Sequence, residues 1–401
     1  MHRTIPILPR APASATPAVQ LAAPPPLSLY IHFPWCVRKC PYCDFNSHNV
    51  KAAGIPEAAY LDALQRDLEL ALPSVWGRRV HTVFIGGGTP SLLSPEGLND
   101  LLTRVRTLLP LEPDCEITLE ANPGTVEAAR FAAFRAAGVT RVSVGVQSFN
   151  EAHLQALGRI HGRAEALRAL EAAATHFDTW NVDLMYALPR QTLAEAQADL
   201  EQALAFAPPH LSCYHLTLEP NTLYFRDPPP LPDDELAADM QEMMEARLTA
   251  AGYQHYETSA YARAGHRCRH NLNYWRFGDY LGIGAGAHGK LSDHLGVHRQ
   301  MRHKHPNAYL DAVARGEFIA EAQDVGPADL PFEFMMNALR LTEGVPRSLF
   351  RERTGLPLEH VEVALTQARA RGLLEIDAQH MRPTPLGQRF LNDLLSLFLQ
   401  R

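Results

Sequence analysis

Between Leu27 and Ala251 the chain repeats one pattern six times: a short run rich in β-branched, aromatic or leucine residues, then a longer stretch with helical periodicity. The strand candidates are Leu27–Phe33, Val80–Ile85, Glu116–Ala121, Thr140–Val146, Thr179–Tyr186 and Leu211–Leu218. Between them the spacing predicts helices at Glu57–Leu72, Pro95–Leu109, Val126–Ala137, Arg163–His176 and Leu193–Phe206, with Asp233–Ala251 after the last strand. Strands joined by helices lie parallel, because each crossover returns the chain to the edge it started from. Six such units make an α/β fold, either an open doubly wound sheet or a barrel. The repeat of roughly 30–35 residues is that of βα pairs and not of a solenoid.

In folds of this kind, sites form beyond the carboxyl ends of the strands. Polar residues gather there in this sequence. The second strand runs into Gly86-Gly87-Gly88-Thr89-Pro90, the third ends at Glu120-Ala121-Asn122-Pro123, the fourth at Gln147-Ser148, and the fifth carries Asp183. The first strand runs into Cys36, Cys40 and Cys43, a C-x3-C-x2-C triplet holding half of the chain's six cysteines. Thiolates are soft ligands for iron–sulfur clusters, zinc or copper. Three thiolates leave one iron of a cubane cluster open; zinc would take a fourth ligand, and His48 is near enough in sequence to supply it. A disulfide framework does not suit so long a chain with so few cysteines. Cys115, Cys213 and Cys268 are isolated and read as buried small apolar residues.

The other strand-end residues define a ligand. Glycines let backbone groups approach closely. Carboxylates at Glu120 and Asp183 accept from an ammonium or from ribose hydroxyls, while Gln147 and Arg159 donate to a carboxylate. An amino-acid nucleoside such as S-adenosylmethionine has all of these groups. The GGGTP segment is neither a P-loop nor a dinucleotide fingerprint.

A chain of 401 residues accommodates two domains. A formal net charge of −7 argues against general nucleic-acid binding. No apolar run is long enough to span a membrane. Residues 1–26 are rich in Ala and Pro and read as a disordered tail without a secretory signal. Beyond residue 250, Tyr253–Tyr261 reads as strand or irregular structure, and a glycine-rich segment follows at Gly282–Gly289. From about Pro327 the pattern turns helical. It closes with short strands at Leu373–Ile376 and Met381–Thr384 and an amphipathic helix at Pro385–Leu399, a winged-helix-like arrangement without a basic recognition helix.

The stretch Tyr30–Phe45 resembles the radical S-adenosylmethionine enzymes, whose signature is C-x3-C-x2-C, and the later elements occur in that family's order. The GGGTP segment is similar to the form found in the coproporphyrinogen oxidase-like branch. The resemblance implies a partial (β/α)6 TIM-like barrel over residues 27–240 and a smaller, mainly helical C-terminal domain over 241–401. It implies a [4Fe–4S] cluster on Cys36, Cys40 and Cys43, with S-adenosylmethionine held by Tyr30, Phe45, Gly87, Gly88, Thr89, Glu120, Gln147, Arg159 and Asp183. Two subfamilies share these features. Oxygen-independent coproporphyrinogen III oxidases continue C-x3-C-x2-C-x-C, and that last position is Phe45 here. The HemW family of heme chaperones reads C-P-Y-C-D-F-N-S-H, as residues 40–48 do. His270-Asn271-Leu272-Asn273-Tyr274-Trp275 is similar to that family's heme-associated H-N-x-x-Y-W. The favoured expectation is therefore a chaperone that binds heme and passes it to acceptor proteins. An oxidase decarboxylating propionate side chains in heme biosynthesis is the alternative. His270 is the candidate heme contact, with Asn271, Tyr274 and Trp275 around it. A structural histidine in the seam between domains is the competing reading, and His288 is a weaker candidate. Sparse cysteines, three of them clustered as ligands, suit a reducing cytoplasm; the resemblance also implies an electron donor for the cluster and membrane contact only at the periphery, through acceptors.

Overall fold

A computed structural model describes residues 21–399; residues 1–20, most of the expected disordered tail, lie outside the described residues. The chain enters the fold at Pro25, which is buried, and the carbonyl of Pro26 accepts from the Asp279 amide at 2.9 Å. Six parallel strands follow: β1 (Leu27–Phe33), β2 (Val80–Gly87), β3 (Leu111–Ala121), β4 (Arg141–Gln147), β5 (Thr179–Tyr186) and β6 (His210–His215). Their connections carry α1 (Glu57–Ala71), α2 (Pro95–Leu108), α3 (Thr125–Ala137), α4 (Arg163–His176) and α5 (Leu193–Leu204); α6 (Asp234–Ala250) follows β6. This is the expected partial (β/α)6 barrel. β1 is covered on both faces, which is why it reads as a near-continuous apolar run.

The sheet does not stop at six strands. β7 (Gln254–Glu257) and β8 (Ala260–Ala262) add to the β6 edge, with β8 antiparallel to β6. At the other end β9 (Asp279–Ile283) pairs parallel to β1, with Tyr30 opposite Gly282. β10 (His288–Asp293), β11 (Gly296–Met301) and β12 (Glu321–Val325) continue antiparallel. The order is β12-β11-β10-β9-β1-β2-β3-β4-β5-β6-β8-β7. Residues 254–325, expected in the second domain, thus lengthen the barrel's own sheet, and β1 is an interior strand.

A separate apolar core forms late in the chain, around Leu330, Phe334, Phe350, Leu365, Met381 and Phe398. Two helices lie before it, α7 (Arg269–Trp275) and α8 (Pro306–Arg315). Its own elements are α9 (Leu330–Ala338), β13 (Val345–Pro346), α10 (Arg347–Thr354), α11 (Glu362–Ala370), β14 (Leu374–Ile376) and β15 (His380–Pro383), with sheet order β13-β15-β14. That is the anticipated winged-helix-like order. The expected single helix at Pro385–Leu399 is instead two short ones, Pro385–Arg389 and Leu391–Ser396. Phe390 leaves helical geometry between them, with φ −109° and ψ 46°. Likewise, Leu216–Leu218 lies beyond the end of β6, and β3 begins five residues before the predicted strand. No helix among the described residues is long and apolar enough to cross a membrane.

Candidate functional site

The loop after β1 carries the three cysteines to the rim where β2, β3 and β4 end. Its turn is closed by the Cys43 amide donating to the Cys40 carbonyl at 3.2 Å. Backbone bonds then tie it to the glycine segment: Gly88 donates to Phe33 and Thr89 to Trp35, each at 2.7 Å. The glycines follow from this closeness. A Cβ on Gly88 would stand 2.5 Å from the Trp35 carbonyl oxygen, and one on Gly87, where φ is +114°, would stand 2.6 Å from the His32 ring.

One hydrogen-bonded chain links two of the thiols across the rim. The Thr89 hydroxyl donates to Cys36 Sγ at 3.5 Å and accepts from Asn122 Nδ2 at 2.8 Å. Asn122 Oδ1 in turn accepts from Arg159 Nη2, while Arg159 Nη1 donates to Cys40 Sγ at 3.6 Å. Burial pushes the Cys36 and Cys43 thiols up, and hydrogen bonds from Thr89 and Ser47 oppose it at Cys36. A metal would reverse that balance, since a coordinating thiol is deprotonated outright.

These residues fit a cubane cluster. All three donors are thiolates, and the buried Nε of Arg159 has no protein partner. A lone zinc takes four ligands around one point, with sulfurs at about 2.3 Å, whereas a cubane's three thiolates bind separate irons and leave the fourth open. His48, the candidate fourth zinc ligand, instead has its Nε2 at 3.3 Å from Asn46 Oδ1 and its ring against His305.

Beside Cys40 opens a cavity of about 600 Å³, lined by Thr89, Asn122 and Arg159 and on its apolar side by Val50, Leu92 and Ile160. That volume lies in the range of small-molecule sites. Glu120 and Asp183 lie outside its lining, on β3 and β5, either side of β4. Glu120 accepts from the Gly87 amide at 3.0 Å, and Asp183 accepts from Ser143 and Asn181. Burial, and then the charge of Asp183, pushes Glu120 up to about 7. Asp183 is itself raised by burial. The Arg141 guanidinium opposes both shifts without cancelling them, and a bound ammonium would add a second cation. Gln147 sits at a register shift between β4 and β5 with φ +67°. Such bulges re-aim a side chain. Gly145 leaves room for it, since a Cβ there would stand 2.9 Å from Gln147 Nε2. Tyr30 stacks on Phe84 and hydrogen-bonds His32 at 3.0 Å. Phe45 differs from the rest: it is 57% exposed and does not line the cavity.

The histidine motif lies elsewhere. His270 is 1% exposed; its Nδ1 pairs with the Thr82 hydroxyl at 2.8 Å and its Nε2 with the Tyr274 hydroxyl at 2.9 Å. Thr82 pairs with Ser28 at the start of β1, five residues before Phe33 at the cysteine rim. The motif is therefore set back from the cluster loop by roughly 16 Å along the strands. Burial lowers His270 to about 3 and keeps it neutral. Asn273 donates to Ser28 and to the Asp279 carbonyl, each at 2.8 Å, and the Arg340 guanidinium lies 4.3 Å above the Trp275 ring. The segment thus pins α7 between the barrel and the late core.

Asn46, inside the C-P-Y-C-D-F-N-S-H segment, and His32 have structural roles that the motif itself does not reveal. Asn46 donates to the carbonyls of Ala285 and Lys304 at 2.9 and 2.8 Å, and its own carbonyl pairs with His32 Nε2 at 2.8 Å. The partners of the Asn46 side chain lie more than 230 residues downstream, so no local pattern exposes that role.

Comparison with known proteins adds the following. Residues 30–203 match the Radical SAM superfamily, and residues 325–390 match the HemN C-terminal domain. The chain is 52% identical over 377 residues to the heme chaperone HemW of Escherichia coli (strain K12), covering 94% of this chain and 98% of that protein. It is 51% identical to the heme chaperone HemW of Haemophilus influenzae, again over 94% of this chain and 98% of the other. A mitochondrial radical S-adenosyl methionine domain-containing protein 1 of Bos taurus is 36% identical, over 97% of this chain and 90% of its own. Among solved structures, coproporphyrinogen III oxidase (HemN) from Escherichia coli superposes with a TM-score of 0.80 at 23% identity, covering 95% of this chain and 92% of that one. A likeness at that identity carries the fold alone.

Proposed function

The chain belongs to the radical SAM superfamily and, within it, to the family of the heme chaperone HemW, and from that premise we propose that it takes up heme and delivers it to acceptor proteins. The single observation that carries this reading is 52% identity to a protein named for that role, across 94% of the chain. Phe45 agrees with it, because the oxidase pattern puts a further cysteine at that position. Cys36, Cys40 and Cys43 hold the [4Fe–4S] cluster, and S-adenosylmethionine lies against the rim.

In this reading Thr89, Asn122 and Arg159 orient the cofactor's carboxylate beside Cys40, and Gln147 adds a donor. Glu120 and Asp183 take its ammonium and ribose hydroxyls. Tyr30, Gly87 and Gly88 shape the floor of the site, and the apolar wall of the cavity keeps water from the cluster. When bound, a reduced cluster supplies one electron to the cofactor's sulfonium. An electron-donor protein and a cytoplasmic place of action go with three cluster thiols that need a reducing compartment. Contact with membranes comes through acceptors embedded there.

The test is a hemin titration of the anaerobically reconstituted protein, followed by transfer to an apo-acceptor and a parallel assay with coproporphyrinogen III, S-adenosylmethionine and reductant. A Soret shift with transfer and no protoporphyrinogen is expected. Protoporphyrinogen formation would instead make the chain an oxidase.

A further inference from the structure

Heme needs an imidazole nitrogen that it can reach, and His270 has none to offer: both of its nitrogens are bonded in a buried seam. Other histidines are open. His305 is exposed, and no described residue hydrogen-bonds its ring. That ring packs edge-on against His48, with centroids 5.3 Å apart. His48 belongs to the cysteine loop, and His305 follows Lys304, whose carbonyl anchors Asn46. The pair therefore straddles the junction of the cluster loop with the segment after β11. Its position is fixed from below by Asn46, not left to mobile side chains.

The surroundings match the rest of a heme. Phe45 is an exposed aromatic three residues before His48. Lys39, Lys51 and Lys304 are exposed around the same junction, and Lys39 Nζ donates to the Phe45 carbonyl at 2.8 Å. Burial and the neighbouring His305 depress His48, the Lys304 backbone opposes them with a hydrogen bond, and Lys39 and Lys51 add to the lowering. Asp44 is the loop's own exposed carboxylate. Three cations against one anion make a locally basic patch on a chain whose net charge is −7. Iron porphyrins carry an axial site for imidazole, an apolar face and two propionates. Imidazole, aromatic ring and ammonium groups are what this patch presents.

The geometry points to His305, with His48, as the docking site for heme at the cluster loop. Iron takes His305 as its axial ligand, with His48 as a wall, Phe45 as the stacking face, and the lysines at the propionates. The binding is non-covalent axial coordination and needs no redox co-reactant. This inference rests on the heme-chaperone reading and names its site. It also separates cargo from cofactor: S-adenosylmethionine occupies the cavity beside Cys40, and Phe45, His48 and His305 lie outside that cavity's lining.

The test titrates the cluster-loaded full chain with ferric hemin and, separately, with iron-free protoporphyrin. His305→Ala changes an exposed residue, and iron and sulfide content check that the cluster is retained. Its hemin affinity is expected to fall at least about tenfold, its Soret and spin-state signature to change, and added imidazole to restore them, while protoporphyrin binding stays within about twofold. Lys39→Ala with Lys304→Ala should weaken both ligands. If His305→Ala and His48→Ala both bind hemin with the wild-type spectrum and affinity, the site is wrong although the chaperone reading stands. If the wild-type chain binds no hemin at all, that reading fails and takes the site with it.

Discussion

Arg159 places one guanidinium nitrogen 3.6 Å from Cys40 Sγ and the other 2.9 Å from the Gly145 carbonyl oxygen. One side chain thus joins a cluster ligand to the end of β4. A fixed cation beside a ligating thiolate favours the reduced, more negative cluster. Arg159→Ala is therefore expected to assemble a cluster with a more negative reduction potential. It should also bind S-adenosylmethionine about 10–100-fold more weakly, the usual scale for losing such a supporting contact. Potentiometric titration and equilibrium binding read the two effects. An unchanged potential with unchanged affinity would mean that Arg159 only fills space.

The six cysteines divide into two groups. Cys36, Cys40 and Cys43 are partly exposed on one loop, while Cys115, Cys213 and Cys268 are buried and separate. Replacing any of the first three by Ala should abolish the roughly 400 nm absorbance that dithionite bleaches, together with bound iron and sulfide. Cys213→Ala should keep all three signals, since burial holds that thiol up at about 12 and unreactive.

Glu120 makes ligand binding proton-linked. In the free protein its carboxyl titrates at about 7, above its ordinary 4.5. The folded state therefore holds a proton that the unfolded chain releases, and stability falls as pH climbs from the ordinary value to about 7. Glu120→Gln should flatten that fall. An ammonium placed against Glu120 favours the ionised form, so binding S-adenosylmethionine near pH 6 should release up to about one proton. Calorimetry in two buffers of different ionisation enthalpy measures it. Equal heats in both buffers would remove Glu120 from the binding site.

At Gly88 the constraint is steric. A methyl group there would meet the Trp35 backbone at 2.5 Å, and no flexible side chain is present to yield. Gly88→Ala should therefore pry the cysteine loop from β2, costing about 1–3 kcal/mol in denaturant unfolding. Iron retention should drop with it. Gly77→Ala has nothing within 4 Å and tests the effect of its positive φ, +76°, alone.

Much of the barrel was legible because its strands and helices obey two clean periods. β5 and α4 begin and end where the apolar pattern does. The four strands from Asp279 to Val325 were not. β12 is exposed along most of its length, and β11 mixes glycine, histidine and arginine, so neither has an apolar face to read. Glycines 284 and 286 read only as part of a glycine-rich segment. They are tight left-handed turns, at φ +99° and +79°, directly after the strand that flanks β1. In the site, the cysteines announced themselves by spacing, and Glu120, Gln147 and Asp183 by standing at strand ends. Asn122 stood at a strand end and Asn46 in the cysteine segment, but their partners, Thr89 and Arg159 for one and the Ala285 and Lys304 carbonyls for the other, are set by the tertiary fold. The motif around His270 was visible, but its burial was not: hydrogen bonds to Thr82 and Tyr274 are tertiary facts.

The deepest of those tertiary facts is an ion pair between residues 235 positions apart. Arg302 Nε lies 3.0 Å from Asp67 Oδ1, and both side chains are fully buried. The other carboxylate oxygen accepts from the Gly284 amide at 3.1 Å and from the Tyr309 hydroxyl at 2.9 Å. Burial pushes Asp67 up, and Arg302 is the first influence opposing it. Removing one partner of such a pair strands the other charge, a loss of about 3–5 kcal/mol, whereas an apolar replacement of both is often nearly neutral. Asp67→Asn keeps the shape and is expected to lose about that much in chemical denaturation. Asp67→Leu combined with Arg302→Met should recover most of it. The damage should also reach the cluster. Gly284 and Ala285 form the turn that Asp67 and Tyr60 hold, and Asn46 hangs from the Ala285 carbonyl. Asp67→Asn should therefore lose its iron faster in air than wild type, well before global unfolding. A variant that is less stable but keeps its cluster as long as wild type would show that the ion pair supports the barrel without reaching the cysteine loop.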